Sequence, residues 1–187
     1  DLSYVGTAYT FITVGGQIWM WGFNSQGQLG QNNIVQYSSP VQVPGDGWSA
    51  NMVAAEYGTA AVVKENGELW MWGRNNQGSL GQNSKTNYSS PVQVPGTTWA
   101  NVTIGWNYPA GNNVAAIKTD NTLWVWGYNN RGQLGLNNRT SYSSPIQVPG
   151  TTWKQSSAGG QQGMCAVKTD GTLWGWGFNE GATLGQN

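Results

Sequence analysis

The chain alternates between segments that are apolar on both faces and segments that are polar throughout. The most apolar segment is Leu69-Trp70-Met71-Trp72-Gly73. Its pattern recurs at Ile18-Trp19-Met20-Trp21-Gly22, Leu123-Trp124-Val125-Trp126-Gly127 and Leu173-Trp174-Gly175-Trp176-Gly177. Successive side chains of a strand point to opposite faces, so the two Trp of each copy share one face and the aliphatic residues share the other. A strand buried on both faces is expected where sheets stack face to face. The first Trp of each pair falls at 19, 70, 124 and 174, which gives steps of 51, 54 and 50 residues. Self-similarity at this period marks a repeat architecture.

The surrounding pattern predicts the other strands. Ala60 to Lys64, then Glu65-Asn66-Gly67, then Glu68 to Gly73 reads as a β-hairpin, because Asn-Gly supplies the positive φ angles of a tight turn. Gly15-Gly16, Asp120-Asn121 and Asp170-Gly171 sit at the same place in the other copies. Each hairpin leads into a loop of Gly, Asn and Gln, and three of the four loops lead into Ser-Ser-Pro. Val41-Gln42-Val43, Val92-Gln93-Val94 and Ile146-Gln147-Val148 lie between prolines, and a segment that cannot donate fully to a ladder is an edge strand. Trp48, Trp99 and Trp153 then open another short strand each. Every full period therefore holds four strands, and no window reads as an amphipathic helix.

Four strands per period of about 50 residues predict an all-β chain, a β-propeller built of four-stranded antiparallel blades. About four blades are present, as one repeat domain over residues 1–187. The repeats run approximately over 1–47, 48–98, 99–152 and 153–187, the last truncated before a Ser-Ser-Pro strand. A partial or open propeller is expected, with apolar faces and a free strand edge at its ends. Such a chain is expected to be part of a longer polypeptide or to associate with copies of itself. The opening residue, Asp1, is likewise expected of a processed chain or a segment of a longer one.

Composition narrows the chemistry. Eight Lys and Arg balance eight Asp and Glu, and charged residues make up only 9%. A neutral chain has no electrostatic footprint for nucleic acid or an anionic membrane. Its basic residues are dispersed singly, as on a solvated surface. There is no His, which removes the usual general base and the commonest metal ligand. Cys165 is the single cysteine, so no internal disulfide is possible, and its strand predicts a buried structural thiol. No apolar run approaches a membrane span. Asp120, Asp170 and Glu65 lack the closely spaced oxygen ligands that calcium requires, so they read as turn residues. No catalytic residue, metal site or cofactor is expected.

The string Trp-Gly-x-Asn-x-x-Gly-Gln-Leu-Gly, preceded by a Gly-containing hairpin and followed by Pro-Val-Gln-Val-Pro, resembles the regulator of chromosome condensation repeat. The resemblance covers almost four copies. It implies a β-propeller, typically of seven blades, in a family whose members range from a nucleotide exchange factor for the GTPase Ran to a β-lactamase inhibitor and many protein-binding repeat proteins. Where the family often has a His at the start of the hairpin, this chain has Ala8, Thr59, Asn113 and Gly163. In the fourth copy Ala182 replaces the Gly27, Gly78 and Gly132 of the others.

Candidate contact residues lie where the copies differ. The paired Trp recur in every copy and read as blade core, while Trp48, Trp99 and Trp153 are open to packing or ligand stacking. From Trp48 to Lys64 is 16 residues and from Trp153 to Lys168 is 15, but from Trp99 to Lys118 is 19. The extra residues fall within 105–113. An insertion in one repeat maps to one face of such a fold, often the binding face. Trp106, Asn107, Tyr108, Asn112 and Asn113 are therefore the expected partner- or glycan-binding residues, Trp and Tyr being rigid and amphipathic. The opposing reading is a loop that covers a neighbouring blade.

Together these features predict a non-enzymatic propeller module, for protein–protein interaction or self-association, or a structural part of a larger extracellular or virion assembly. The polar, weakly charged surface points to an extracellular or virion-surface setting, with a cytoplasmic one left open. Carbohydrate binding is the alternative, suggested by the Trp, Asn and Gln content. Nucleotide exchange on a small GTPase is implied by the family alone.

Overall fold

The computed structural model describes residues 2–5, 8–13, 15–56, 58–106, 110–159, 163–179 and 184. All regular structure among them is β. Four antiparallel sheets follow one another along the chain: β1–β4 (Leu2–Val5, Ala8–Thr13, Gln17–Gly22, Tyr37–Gln42), β5–β8 (Trp48–Glu56, Thr59–Lys64, Leu69–Gly73, Tyr88–Val94), β9–β12 (Trp99–Gly105, Asn113–Lys118, Leu123–Gly127, Tyr142–Gln147) and β13–β15 (Trp153–Ala158, Gly163–Lys168, Leu173–Gly177). Spatial order within each sheet equals sequence order. These are blades 1 to 4 of a propeller, and the inner strands β1, β5, β9 and β13 pack side by side along the series. β1 pairs with β2 inside blade 1, so the N-terminal strand is the innermost strand of its own blade.

The outer strands are longer than the Val-Gln-Val core, because they begin at Tyr37, Tyr88 and Tyr142 and take in Ser-Ser-Pro. The proline is tolerated because these strands lie at sheet edges. Their register is the same in blades 1 and 3, with Trp19 opposite Gln42 and Met20 opposite Val41, and Trp124 opposite Gln147 and Val125 opposite Ile146.

The core is three slabs between consecutive blades. Ile18 and Met20 of blade 1 pack against Trp48 and Trp72 of blade 2. Leu69 and Met71 pack against Trp99 and Trp126, and Leu123 and Val125 against Trp153, with Trp176 at the margin. The aliphatic face of each third strand thus meets the Trp of the next blade, as the alternation requires.

The polar loops between third and fourth strands wedge into these slabs. Asn75 organises one of them: its Oδ1 accepts the Leu80 N–H at 2.8 Å, while its Nδ2 donates to the carbonyls of Ser84 and Thr86 at 3.0 and 2.8 Å. Asn24 and Asn129 do the same in their copies, and all three are fully buried. A buried amide that spends both ends on backbone groups explains why Asn recurs in the motif. Gly78 lies against Ser143 of the next blade's outer strand, where a Cβ would come to 2.5 Å of the Ser143 Cα. Only glycine permits that approach at a φ of +81°.

Among the described residues blade 4 holds three strands, β13 to β15, and its exposed positions have buried counterparts. Leu173 is 71% exposed, whereas Ile18, Leu69 and Leu123 are at 0%. Cys165 is half-buried rather than buried as expected, because its equivalents Ala61 and Ala115 are covered by a following blade and it is not.

Candidate functional site

The insertion forms the connection between β9 and β10. It occupies 106–112, where blade 2 has only 57–58 between β5 and β6. Asn113 pairs with Gly105 on one side and Gly127 on the other, so the loop rises at the end of the sheet where the wedge loops begin. Its C-terminal half is held against blade 2. Asn76 Nδ2 donates to the Ala110 carbonyl at 3.3 Å, and Asn112 Nδ2 donates to Thr59 Oγ1 at 3.0 Å. Thr59 in turn donates to the Arg74 carbonyl at 2.9 Å. Gly111, at a φ of +135°, passes Gln77 too closely for any side chain.

The five predicted contact residues therefore separate. Trp106 is half-buried at the mouth of the loop. Asn107 and Tyr108 lie outside the described residues. Asn112 and Asn113 are 1% and 0% exposed, so they form the floor beneath the loop. Asn113 occupies the position of Thr59, and neither end of its amide has a hydrogen-bond partner among the described residues.

The opposite end of the blades carries an arrangement that the sequence pattern did not reveal. Lys64 Nζ lies 4.5 Å from the Trp48 ring and 5.0 Å from the Trp70 ring. Lys118 is 4.7 and 4.3 Å from Trp99 and Trp124, and Lys168 is 4.9 and 4.3 Å from Trp153 and Trp174. The two rings are near perpendicular in each copy, 79° for Trp99 and Trp124. These lysines are thus structural cations over aromatic faces, not dispersed solvated charges. The signal was present in the constant spacing of Lys six residues before the first Trp of the pair. Blade 1 has Thr13 in that place.

The indoles of this end are tied down as well. Trp124 Nε1 donates to Thr122 Oγ1 at 2.9 Å, and the Thr122 hydroxyl donates to Asp120 Oδ1 at 2.6 Å. That hydroxyl is the chief reason the Asp120 carboxyl sits below its ordinary range, with the Thr122 N–H next. Asp170 is lowered by Thr172 in the same way. Glu68 is lowered first by the Trp70 indole, which donates to it at 3.1 Å. The acidic turn residues are thereby committed to their own turns. Among the described residues, no group of three or more His, Cys, Asp or Glu is placed to hold a metal ion.

A pocket of about 370 Å³ opens between blades 2 and 3, lined by Trp99, Lys118, Trp124, Gln82, Pro95 and Pro145 among others. Lys118 lies over a face of each of the two rings there. Trp72 and Trp126 are 1% and 0% exposed, and Trp48, Trp99 and Trp153 are 2–3% exposed. These tryptophans are packing residues.

Stacked four-stranded blades with wedge loops define the class as a β-propeller of repeated units. The model of the regulator of chromosome condensation (RCC1) repeat matches residues 15–62, 66–109 and 120–166, and the chain belongs to that family. Among curated proteins it is 30% identical to the mitochondrial RCC1 domain-containing protein RUG3 of Arabidopsis thaliana over 126 residues, 67% of this chain and 28% of that protein. It is also 30% identical to the ultraviolet-B receptor UVR8 of the same plant, over 66% of this chain and 28% of that protein. Human WBSCR16 superposes with a TM-score of 0.82 at 22% identity, over 99% of this chain and 49% of that one. Yeast RCC1 (Prp20), solved with Kap60, gives 0.82 at 17% identity over 100% and 45%. The chain thus spans under a third of these curated relatives and about half of these solved chains.

Proposed function

We propose that this chain is a non-catalytic RCC1 propeller module that binds another protein through the loop at 105–113 of blade 3. The observation that carries this reading is the asymmetry of the insertion. The copies share their Trp pairs and Asn hubs, and blades 2 to 4 share a Lys over the Trp rings; these residues are engaged in packing. The C-terminal part of the insertion is pinned to blade 2 through Asn112 to Thr59 and through Ala110 to Asn76. A contact loop on a rigid base loses little conformational entropy on binding. Trp106 and Tyr108 are the anchors of this reading, with Asn107 beside them and Asn112 and Asn113 as support. That a fold relative, yeast RCC1, is seen bound to Kap60 is consistent with protein binding by this class of propeller.

The test is affinity capture from the native source with the wild-type chain and with a Trp106→Ala, Tyr108→Ala double variant. Hydrogen exchange is then measured on the reconstituted pair. Protection of 105–113 and loss of the partner in the variant are expected. Protection elsewhere, with full retention by the variant, overturns the assignment.

A further inference from the structure

The pocket between blades 2 and 3 sets a cation without a counter-ion beside an apolar wall. Both blades have all four strands among the described residues. Its volume of about 370 Å³ lies within the range of small-molecule sites, about 300–1,000 Å³. Trp124, Pro95 and Pro145 supply apolar surface, with Ser144 and Asn83 beside them. Lys118 is half-buried there, and among the described residues no carboxylate lies within ion-pair distance of its Nζ. Gly96 lies next to it without a side chain. A Cβ on Gly96 would come to 3.8 Å from Lys118 Nζ and 3.3 Å from Trp99 Nε1. Trp99 is 2% exposed, and its indole N–H has no acceptor among the described residues. An ammonium group and an indole N–H, both donors, thus meet at one corner. A charge partly withdrawn from water attracts its opposite more strongly than one in open solvent.

We propose that this pocket binds a small organic carboxylate with a flat apolar body. The carboxylate pairs with Lys118 at the Gly96 corner, and the body rests against Trp124, Pro95 and Pro145. An ammonium group has three N–H donors, so Lys118 keeps its ring contacts while it binds an oxygen. A single positive charge in apolar surroundings suits a monoanion, because a second negative charge would be desolvated without a partner. The acidic residue of the adjoining turn is already committed. Asp120 Oδ1 accepts from the Thr122 hydroxyl at 2.6 Å and from the Thr122 N–H at 3.0 Å. The Trp124 wall is neutral, since its indole donates to Thr122 Oγ1 at 2.9 Å. In blade 2 the equivalent indole, Trp70, donates to Glu68 at 3.1 Å. That negative charge repels an anion from the cage of Lys64, so the site is particular to blade 3.

The experiment titrates phenylacetate into the 187-residue protein, read by calorimetry and by the indole N–H signals in two-dimensional NMR. Saturable binding at one site is expected, with the largest shifts at the Trp99 and Trp124 indoles. Phenylacetamide has the same shape without the charge, and acetate has the charge without the ring. Each binds at least about tenfold more weakly. Lys118→Met keeps the stem over the rings and the fold by circular dichroism, but weakens binding at least about tenfold. Ser144→Leu narrows the pocket from the outer strand without touching the cage, and weakens binding as well. Lys64→Met leaves binding unchanged. Phenylacetamide or acetate binding as well as phenylacetate would overturn the proposal. So would an absence of saturation, unchanged affinity in both Lys118→Met and Ser144→Leu, or shifts confined to other indoles. None of these outcomes depends on the loop at 105–113.

Discussion

The Trp72 indole of blade 2 donates to the Gln28 carbonyl of blade 1 at 2.9 Å, across 44 residues of sequence. The same bond recurs from Trp126 to Ser79 at 2.8 Å and from Trp176 to Gln133 at 2.8 Å. In blades 2 to 4 the second Trp of the pair therefore packs at the slab and satisfies a carbonyl of the preceding wedge loop. One side chain supplies both the apolar contact and the polar tie between blades.

Trp72→Ala is expected to cost about 3–5 kcal/mol, since it empties a fully buried site. Trp72→Phe keeps most of the packing but leaves the Gln28 carbonyl without its donor, and is expected to cost about 1–3 kcal/mol. Urea unfolding of the two variants separates the contributions. A cost for Trp72→Phe equal to that for Trp72→Ala would mean that the bond, not the packing, dominates.

Asn113→Thr is expected to be neutral or stabilising by about 1 kcal/mol. It replaces a buried amide lacking protein partners with the residue type that blade 2 uses at Thr59, whose hydroxyl donates to the Arg74 carbonyl. The introduced hydroxyl would find the Tyr128 carbonyl in the equivalent place. A loss of stability on thermal unfolding would show that the Asn113 amide is satisfied by something other than protein.

Lys118→Met retains the aliphatic stem over Trp99 and Trp124 and removes the charge. A loss of about 0.5–1 kcal/mol is expected, the size of a partly exposed cation–π contact. Lys118→Ala is expected to cost more, because the stem is lost as well. Chemical denaturation of the pair checks the order.

Stability is expected to fall on acidification. Glu68, Asp120 and Asp170 all have folded-state pKa values below their ordinary ones. A depressed carboxyl contributes stability above its unfolded value, and that contribution is lost as the pH falls through the folded value. The decline should therefore begin below about pH 4. Thr122→Val removes the chief cause of the Asp120 shift and should flatten part of it. Melting temperatures across roughly pH 2–7 for both proteins make the comparison.

Several elements were legible in the sequence because they rest on local chemistry. The alternation in Leu69-Trp70-Met71-Trp72 dictates two buried faces, and Asn66-Gly67 dictates a tight turn; both act within one strand pair. The prolines at 40, 91 and 145 place their strands at an edge for the same local reason. The repeat spacing then made the blade count and the family readable without coordinates. The length difference in blade 3 likewise marked the loop between β9 and β10.

Only the tertiary structure decided which residues meet across blades. Lys118 comes to rest over Trp99 and Trp124 because three strands align their ends, and no spacing rule states which face a flexible cation will choose. Asn112 looked like a surface contact residue, but Thr59 of the neighbouring blade draws it inward. Cys165 and Leu173 have the same local sequence character as their buried counterparts. Their exposure depends on whether another sheet lies against them. Sequence periodicity specifies the repeating unit, because each strand's pattern is set by its own pleat. Burial at the ends of the series belongs to the assembly, because covering an apolar face requires a second surface.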